Sequence, residues 1–372
     1  MKIKTYQITF LPWISFNKVY KIGPILFWPY DLMKNHKITD KEVIIHLDKY
    51  FEQFINYEGK KVNTITICTF NDDYLKILNS TEIEMLNWAI NSLIFSTLVP
   101  QIKNKILHQN YQLSIPNSDI FNKFTSNFFP GDNTMPILFE GRLDRGWKIG
   151  ELCFQRPWTT SYSYGEPNEE LVGIFNKFMH DFKNKDSKRL LQCIEWFKYA
   201  HRSNLNVSPF SKLLMMAIVY EIFFNLQDSY GKKNKFRKKL NDLFEDEEIK
   251  KEVRKEGENK EVELNLAGWW ANDFYKLRNS IVHGDDINIK DLHYNSRISF
   301  LDVADLVMLR LIILKSYEKN FIDKEKINSI KRIINILNKI CTQNNKENSK
   351  IKVKIMDLSY DFKTIYEVFN WI

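Results

Sequence analysis

Cysteine is scarce, long apolar runs are missing, and no cluster of carboxylates offers a Mg2+ site. The 372 residues include only four cysteines, Cys68, Cys153, Cys193 and Cys341. They lie far apart and form none of the short spacings that build a zinc centre, so they read as scattered buried thiols of a reducing compartment. The strongest apolar run, Leu213 to Leu226, spans 14 residues and is interrupted by Glu221 and Asn225. A membrane span needs about 20 residues, so none is expected. The opening residues, Met1 to Tyr6, lead directly into a strand-like segment. They lack the basic, apolar and small-residue order of a secretory leader, and the expected location is cytoplasmic. No repeat of fixed period stands out. No metal or cofactor is expected.

What is present is enough to build cores. Hydrophobic residues make up 44% and aromatic residues 14%, which excludes wholesale disorder. At about 100–200 residues per domain, the length implies two domains. Lys and Arg total 54 against 46 Asp and Glu, a net charge of +8. Much of that excess is Lys in a sequence also rich in Asn and Ile, a bias that an AT-rich genome produces unaided. The charge is compatible with a nucleic-acid partner without requiring one.

Residues 1–160 mix two periods, as expected of an α+β domain. Ile3 to Leu11 and Val62 to Phe70 are β-rich runs. Between them Thr39 and Asp40 open a helix, with Val43, Ile44, Leu47, Tyr50, Phe51 and Phe54 at helical spacing. Ser80 opens a second helix that Pro100 is expected to stop near Leu98. Residues 136–143 and 147–154 read as two strands of a hairpin around Asp144, Arg145 and Gly146. No catalytic constellation occurs in this half. The polar, turn-rich stretch from Pro157 to Asn168 marks the expected domain boundary.

Residues 161–345 read as an all-α bundle, and 346–372 as a tail that is strand-like from Ile351 to Met356. Leu213 to Leu226 is apolar nearly all round, as befits a central helix. Lys232 to Phe244 is amphipathic, with Lys232, Lys233, Lys235, Arg237, Lys238 and Lys239 leading it and an acidic run, Glu245 to Glu248, behind it. Lys250 to Glu261 is charged and reads as a loop. Ala267 to His283 and Phe300 to Tyr317 complete the helices, the latter capped by Ser299 with Asp302 three residues on.

Chemistry concentrates at the end of the helix that stops before Gly284. Trp270, Phe274, Leu277 and Ile281 form one apolar stripe. At roughly 100° per residue, Asn279 and His283 lie on nearly the same side, whereas Arg278 and His283 are about 140° apart. A cation, an amide and an imidazole thus gather at one helix end. Those types suit RNA phosphodiester cleavage. An imidazole with a pKa near 7 moves the proton of the 2′-hydroxyl or of the leaving oxygen. An Arg fork holds the phosphate and offsets transition-state charge. Asn279 orients the ring or bonds the phosphate, and no metal is needed when the 2′-hydroxyl attacks.

Glu221, set among apolar residues, needs a cation, and Arg278 is the expected partner. Lys235, Arg237, Lys238 and Lys239 form a basic run that could track an RNA backbone. Arg310, also in an apolar helix, is expected in a core ion pair or a dimer contact.

The run Arg278, Asn279, Ser280, Ile281, Val282, His283 fits the Arg-x4–6-His motif of HEPN ribonucleases. The surroundings resemble the ApeA-like HEPN branch: Ile194 to Ala200, then Ala217 to Asn225 with its internal Glu, then Lys235 to Phe244, Phe274 to Gly284, and Leu306 to Leu314. The resemblance covers about residues 185–320. It implies a metal-independent endoribonuclease with Arg278, Asn279 and His283 as catalytic residues and Glu221 in support. It also implies a homodimer in which two motifs form one composite RNA-cleaving site. Toxins and antiphage effectors held inactive until infection is sensed are common in that family, so a sensing or regulatory role for residues 1–160, with a phage-derived or nucleotide trigger, follows as an expectation. Two alternatives keep the fold: a non-catalytic HEPN scaffold that dimerises and binds RNA or a partner, and the toxin half of a toxin–antitoxin pair.

Overall fold

A computed structural model describes residues 5–322, apart from 57, 63, 64, 72, 74, 108–116, 130–132, 136, 137, 140, 141, 144–146, 152, 157–165, 204, 227–229, 245–250, 257–260 and 295–298. Cys341, the acidic run 245–248 and the tail 346–372 therefore lie outside the described residues. The chain divides into two compact units, Met1–Val207 and Ser208–Ile372. The division falls after Val207, and not near residue 160, because two helices beyond the polar stretch pack on the first unit.

The first unit is α+β. It runs β1 (Tyr6–Leu11), β2 (Tyr20–Ile22), β3 (Ile25–Pro29), α1 (Tyr30–His36), α2 (Lys41–Phe51), β4 (Phe54–Ile55), β5 (Thr66–Phe70) and α3 (Ser80–Leu107). Then come β6 (Phe124–Phe128), β7 (Thr134–Met135), β8 (Leu138–Phe139), β9 (Arg142–Leu143), β10 (Trp147–Lys148), β11 (Phe154–Gln155), α4 (Glu169–His180) and α5 (Lys185–Ala200). Seven strands form an antiparallel sheet in the order β2-β3-β5-β1-β6-β8-β9. Its middle strand β1 buries Phe10 completely, with the rings of Tyr50, Phe51, Phe54 and Phe124 at 5.0–5.8 Å. Three of these pairs are edge-to-face and that with Phe124 is stacked, and such pairs add about 0.5–1.5 kcal/mol each beyond the area they bury. Asp40 caps α2 by accepting from the amides of Glu42 and Val43. Cys68 and Cys193 are buried, and burial pushes both thiols well up; Cys153 is exposed, against the expectation that the thiols are buried.

Pro100 does not stop α3, which continues to Leu107. A proline has no N–H for the carbonyl four residues back, here that of Ser96. That carbonyl accepts the amide of Asn168 at 2.8 Å instead. Asn168 also caps α4, its side chain accepting from the Leu171 amide at 3.0 Å. The hairpin expected around 144–146, residues outside those described, is replaced by other pairings. β8 pairs with β9, β10 pairs with β7, and β11 runs parallel to β4. The second run is broken after β10 by Gly150, at φ 101°.

The second unit comprises α6 (Pro209–Phe223), α7 (Lys232–Leu243), β12 (Glu252–Lys255), β13 (Glu261–Leu264), α8 (Leu266–His283) and α9 (Phe300–Glu318). Ser208 caps α6 with Pro209 at its first position. The helix stops where Asn225 turns left-handed at φ 55°. Tyr220 of α6 meets Phe236 of α7 and both Trp270 and Phe274 of α8, with ring centroids 5.1–6.0 Å apart. Its hydroxyl donates to the Ala304 carbonyl of α9. One buried tyrosine of α6 thus touches α7, α8 and α9. α6 is not buried all round, since Leu214, Met215 and Ile218 are half-buried. Among the described residues, no helix is long and apolar enough to cross a membrane.

The unit is not all-α. Part of the charged stretch read as a loop forms the antiparallel hairpin β12–β13, with Lys255 opposite Glu261. Its charges find partners on the helices. The Trp269 indole N–H donates to the Glu252 carbonyl at 2.9 Å, while the Arg254 guanidinium lies 4.6 Å over the Trp269 ring and 3.5 Å from Asp273. Glu256 accepts from Lys233 at 3.0 Å and from Arg237 at 2.8 Å.

These two cations hold the Glu256 carboxyl down at about 2, with the Arg237 bond the largest cause. A carboxyl depressed by folding stabilises fully above its unfolded pKa, about 4.3, and that stabilisation is lost as pH falls towards 2. Melting temperature measured from pH 6 to pH 2 should therefore fall less steeply for Glu256→Gln than for the wild type. Parallel curves over that range would show that Glu256 does not anchor the hairpin.

Candidate active site

Local rules bring the motif to a defined helix end. Asn265 caps α8 by accepting from the Gly268 amide at 2.9 Å. At the other end Gly284 is left-handed at φ 76°; its amide bonds the Ile281 carbonyl and the Asp285 amide bonds that of Ser280. This is the Schellman arrangement, in which glycine relieves a steric penalty that a Cβ would impose. His283 is therefore the last helical residue, and it is exposed. Of the apolar stripe, Trp270 and Phe274 are buried whereas Leu277 and Ile281 are half-buried.

The centre of the site is the Glu221 carboxylate, whose side chain is 9% exposed. Oε1 accepts from the Tyr275 hydroxyl at 2.7 Å and forms an ion pair with Arg278 Nη2 at 3.3 Å. Oε2 accepts from Lys232 Nζ at 2.7 Å. The Arg278 guanidinium also stands 5.5 Å from the centroid of the Tyr275 ring. Burial, followed by the bond to Glu221, pushes the Tyr275 phenol well up, so the hydroxyl keeps its proton and donates. Helices α6, α7 and α8 each contribute to this one cluster.

The structure brings Arg278 and Asn279 together but leaves His283 apart. Arg278 Nη1 donates to Asn279 Oδ1 at 3.3 Å, which ties the amide to the guanidinium and not to the imidazole. No described contact joins His283 to Arg278. Arg278 leans on the Tyr275 ring and Glu221, while His283 extends from the helix end. Arg278 keeps 24% of its side chain exposed, so a ligand can still reach it.

The basic run divides. Lys235 and Lys238 are exposed on α7. Arg237 is buried and donates to Glu256 and, at 3.2 Å, to Asn272 Oδ1, so it faces inward and does not track an RNA backbone as expected. Lys239 is exposed yet bonds the Phe224 carbonyl at 3.3 Å. Arg310 is buried, but its Nε and Nη1 have no partner among the described residues, where a core ion pair was one expectation. Burial pushes that guanidinium down to about 10. Among the described residues no three His, Cys, Asp or Glu side chains gather as a metal site.

Sequence reasoning missed Tyr275 and the role of Lys232. Tyr275 lies three residues before Arg278, on the same helix face, which is a usable signal. Lys232 gives no such signal, because its meeting with Glu221 depends on how the chain between α6 and α7 returns. Of the segments that carry the HEPN resemblance, Ile194 to Ala200 lies in the first unit and the others in the second. No protein-family model, no curated protein and no solved structure matches the chain.

Removing the carboxylate should separate fold from site. Glu221→Ala should cost about 3 kcal/mol by chemical denaturation, the low end for a buried pair, since Lys232 and Arg278 both retain a solvent-facing side. Glu221→Gln should lose under about half of that, because the amide still accepts from Tyr275. Equal losses for the two variants would mean that shape, and not the ion pairs, holds the cluster.

Proposed function

We propose that this chain is a metal-independent endoribonuclease of HEPN type, acting in the cytoplasm as a toxin or antiphage defence effector. The observation that carries the reading is Arg278, partly exposed and held by Glu221 one turn and a half before an exposed His283 on the same helix. In this reading Arg278 binds the scissile phosphate, and His283 moves a proton. The 2′-oxygen attacks phosphorus, the 5′-oxygen leaves with a proton, and the products carry a 2′,3′-cyclic phosphate and a 5′-hydroxyl. Asn279 steadies the guanidinium. Lys235 and Lys238 supply backbone contacts to RNA. The first unit is assigned the sensing of a phage-derived or nucleotide trigger.

Arg278 and His283 make no contact within one chain, which favours a composite site built by two copies. The same fact supports a second reading, in which the bundle binds RNA or a partner without cleaving it. Arg278→Ala and His283→Ala separate the two. Each should lower RNA cleavage by about 10²-fold or more, with unchanged melting temperature for His283→Ala. Cleavage should persist in EDTA and leave 2′,3′-cyclic ends. Activity that requires Mg2+ and leaves 5′-phosphates would assign a different chemistry, and full toxicity of both variants would favour the binding reading.

A composite site also requires a homodimer whose two-fold axis passes near the motif. Spin labels at an exposed α8 position such as Lys276 should report a short inter-copy distance. A separation of the motifs beyond about 20 Å, more than one phosphate and its flanking groups can bridge, would exclude the composite site.

A further inference from the structure

We infer that Lys232 belongs to the same site, as the second cation that keeps Arg278 available to an anion; this rests on the reading that Arg278 meets a phosphate. A buried carboxylate paired with one arginine forms a neutral unit, and a neutral unit attracts phosphate weakly. Here two cations share a single carboxylate, Arg278 on Oε1 and Lys232 on Oε2. The cluster therefore carries one positive charge in excess. Both cations reach the surface, Lys232 with 27% and Arg278 with 24% of the side chain exposed, so the excess charge faces solvent.

Among the described residues Lys232 is the donor that meets Oε2, but what Oε2 needs is a donor and not a second positive charge. Glu221 already has Tyr275 and Arg278 on Oε1. Lys232 is moreover the first residue of α7, a turn that has no acidic residue, and Gly231 before it offers no side-chain cap. Cations are disfavoured at a helix N-terminus, where the macrodipole is positive. A helix selected for stability alone would carry Asp or Glu there. Lys232 bears that penalty, and its charge, unlike its bond to Oε2, exceeds what neutralising the carboxylate requires. Its effect is on the charge of the site, so Lys232 is a positioning and electrostatic residue, and the atoms that react are not its own.

The test uses the full chain and a single-stranded RNA oligomer with 2′-O-methyl groups throughout, which cannot supply the attacking hydroxyl. Binding is read by fluorescence anisotropy, with melting temperature alongside. Arg278→Ala and Lys232→Gln should each weaken binding about tenfold and lower its salt dependence. Adding Glu221→Gln to Lys232→Gln removes one negative charge and should restore affinity to within about threefold of wild type, although the double variant has lost more bonds. Lys232→Met, which keeps the aliphatic stem, serves in place of Lys232→Gln should that variant melt early. Wild-type affinity in Lys232→Gln with loss in Arg278→Ala overturns the role of Lys232 and leaves the phosphate reading standing. Loss in Lys232→Gln without recovery in the double variant overturns the charge argument. Wild-type affinity in Arg278→Ala removes the phosphate reading and this inference together.

Discussion

A carboxylate carried into a helical bundle must be met by donors, and that requirement organises the second unit. Glu221 lies on α6 beside Tyr220, the residue that touches α7, α8 and α9. Phe274 likewise precedes Tyr275 on α8. The aromatic contacts and the ionic ones are therefore neighbours in sequence on both helices. Packing Tyr220 against Phe274 sets the register in which Glu221 meets Tyr275 and Arg278. A slip of either helix by one residue would turn the carboxylate away from its donors and leave a buried charge, at a cost of several kcal/mol. Hydrophobic fit and charge neutralisation select the same arrangement, which is the consistency a single native state requires.

Arg310 shows the same unit treating a buried ion differently. Its Nε and Nη1 lack partners among the described residues, and burial lowers its proton affinity without removing the charge. Glu221 is satisfied three times over while Arg310 leaves two donors unmet. Among the described residues, then, polar satisfaction is uneven: the Glu221 carboxylate is fully met, whereas the Arg310 guanidinium and the buried Trp270 indole N–H are not.

Much of the helical layout was legible because its signals are local. Asp40, the Ser299–Asp302 pair and Gly284 each act within a few residues, and helices begin or end where these residues say. Signals that depend on distant partners were not legible. The stretch around 250–261 looks like a solvated loop until Trp269, Asp273 and Arg237 are placed beside it. Arg237 looks like part of a basic face until Glu256 and Asn272 draw it inward. The Arg278–Glu221 pairing could be anticipated because a buried acid needs a cation and few were within reach. Lys232 could not be assigned in the same way, since many polar residues could have filled the remaining lone pairs, whereas Tyr275 carried a local signal in its spacing from Arg278. The domain boundary was misplaced for a related reason: helical periodicity in α4 and α5 says nothing about which core they join.

Pro100 and Asn168 lie 68 positions apart, yet the defect of one is the anchor of the other. A proline inside a helix frees a carbonyl, and a helix start frees an amide; each is a loss in its own segment. The bond from Asn168 to Ser96 cancels both losses at once and does so entirely through main-chain atoms. Side-chain substitution at Ser96 or Asn168 therefore leaves both bonding atoms in place, except for proline at the donor. Proline at position 168 would remove the amide and leave the Ser96 carbonyl without this donor inside an apolar helix. The first unit thus carries a long-range main-chain staple that proline at position 168 would remove, and that any residue with an N–H at position 100 would compete for.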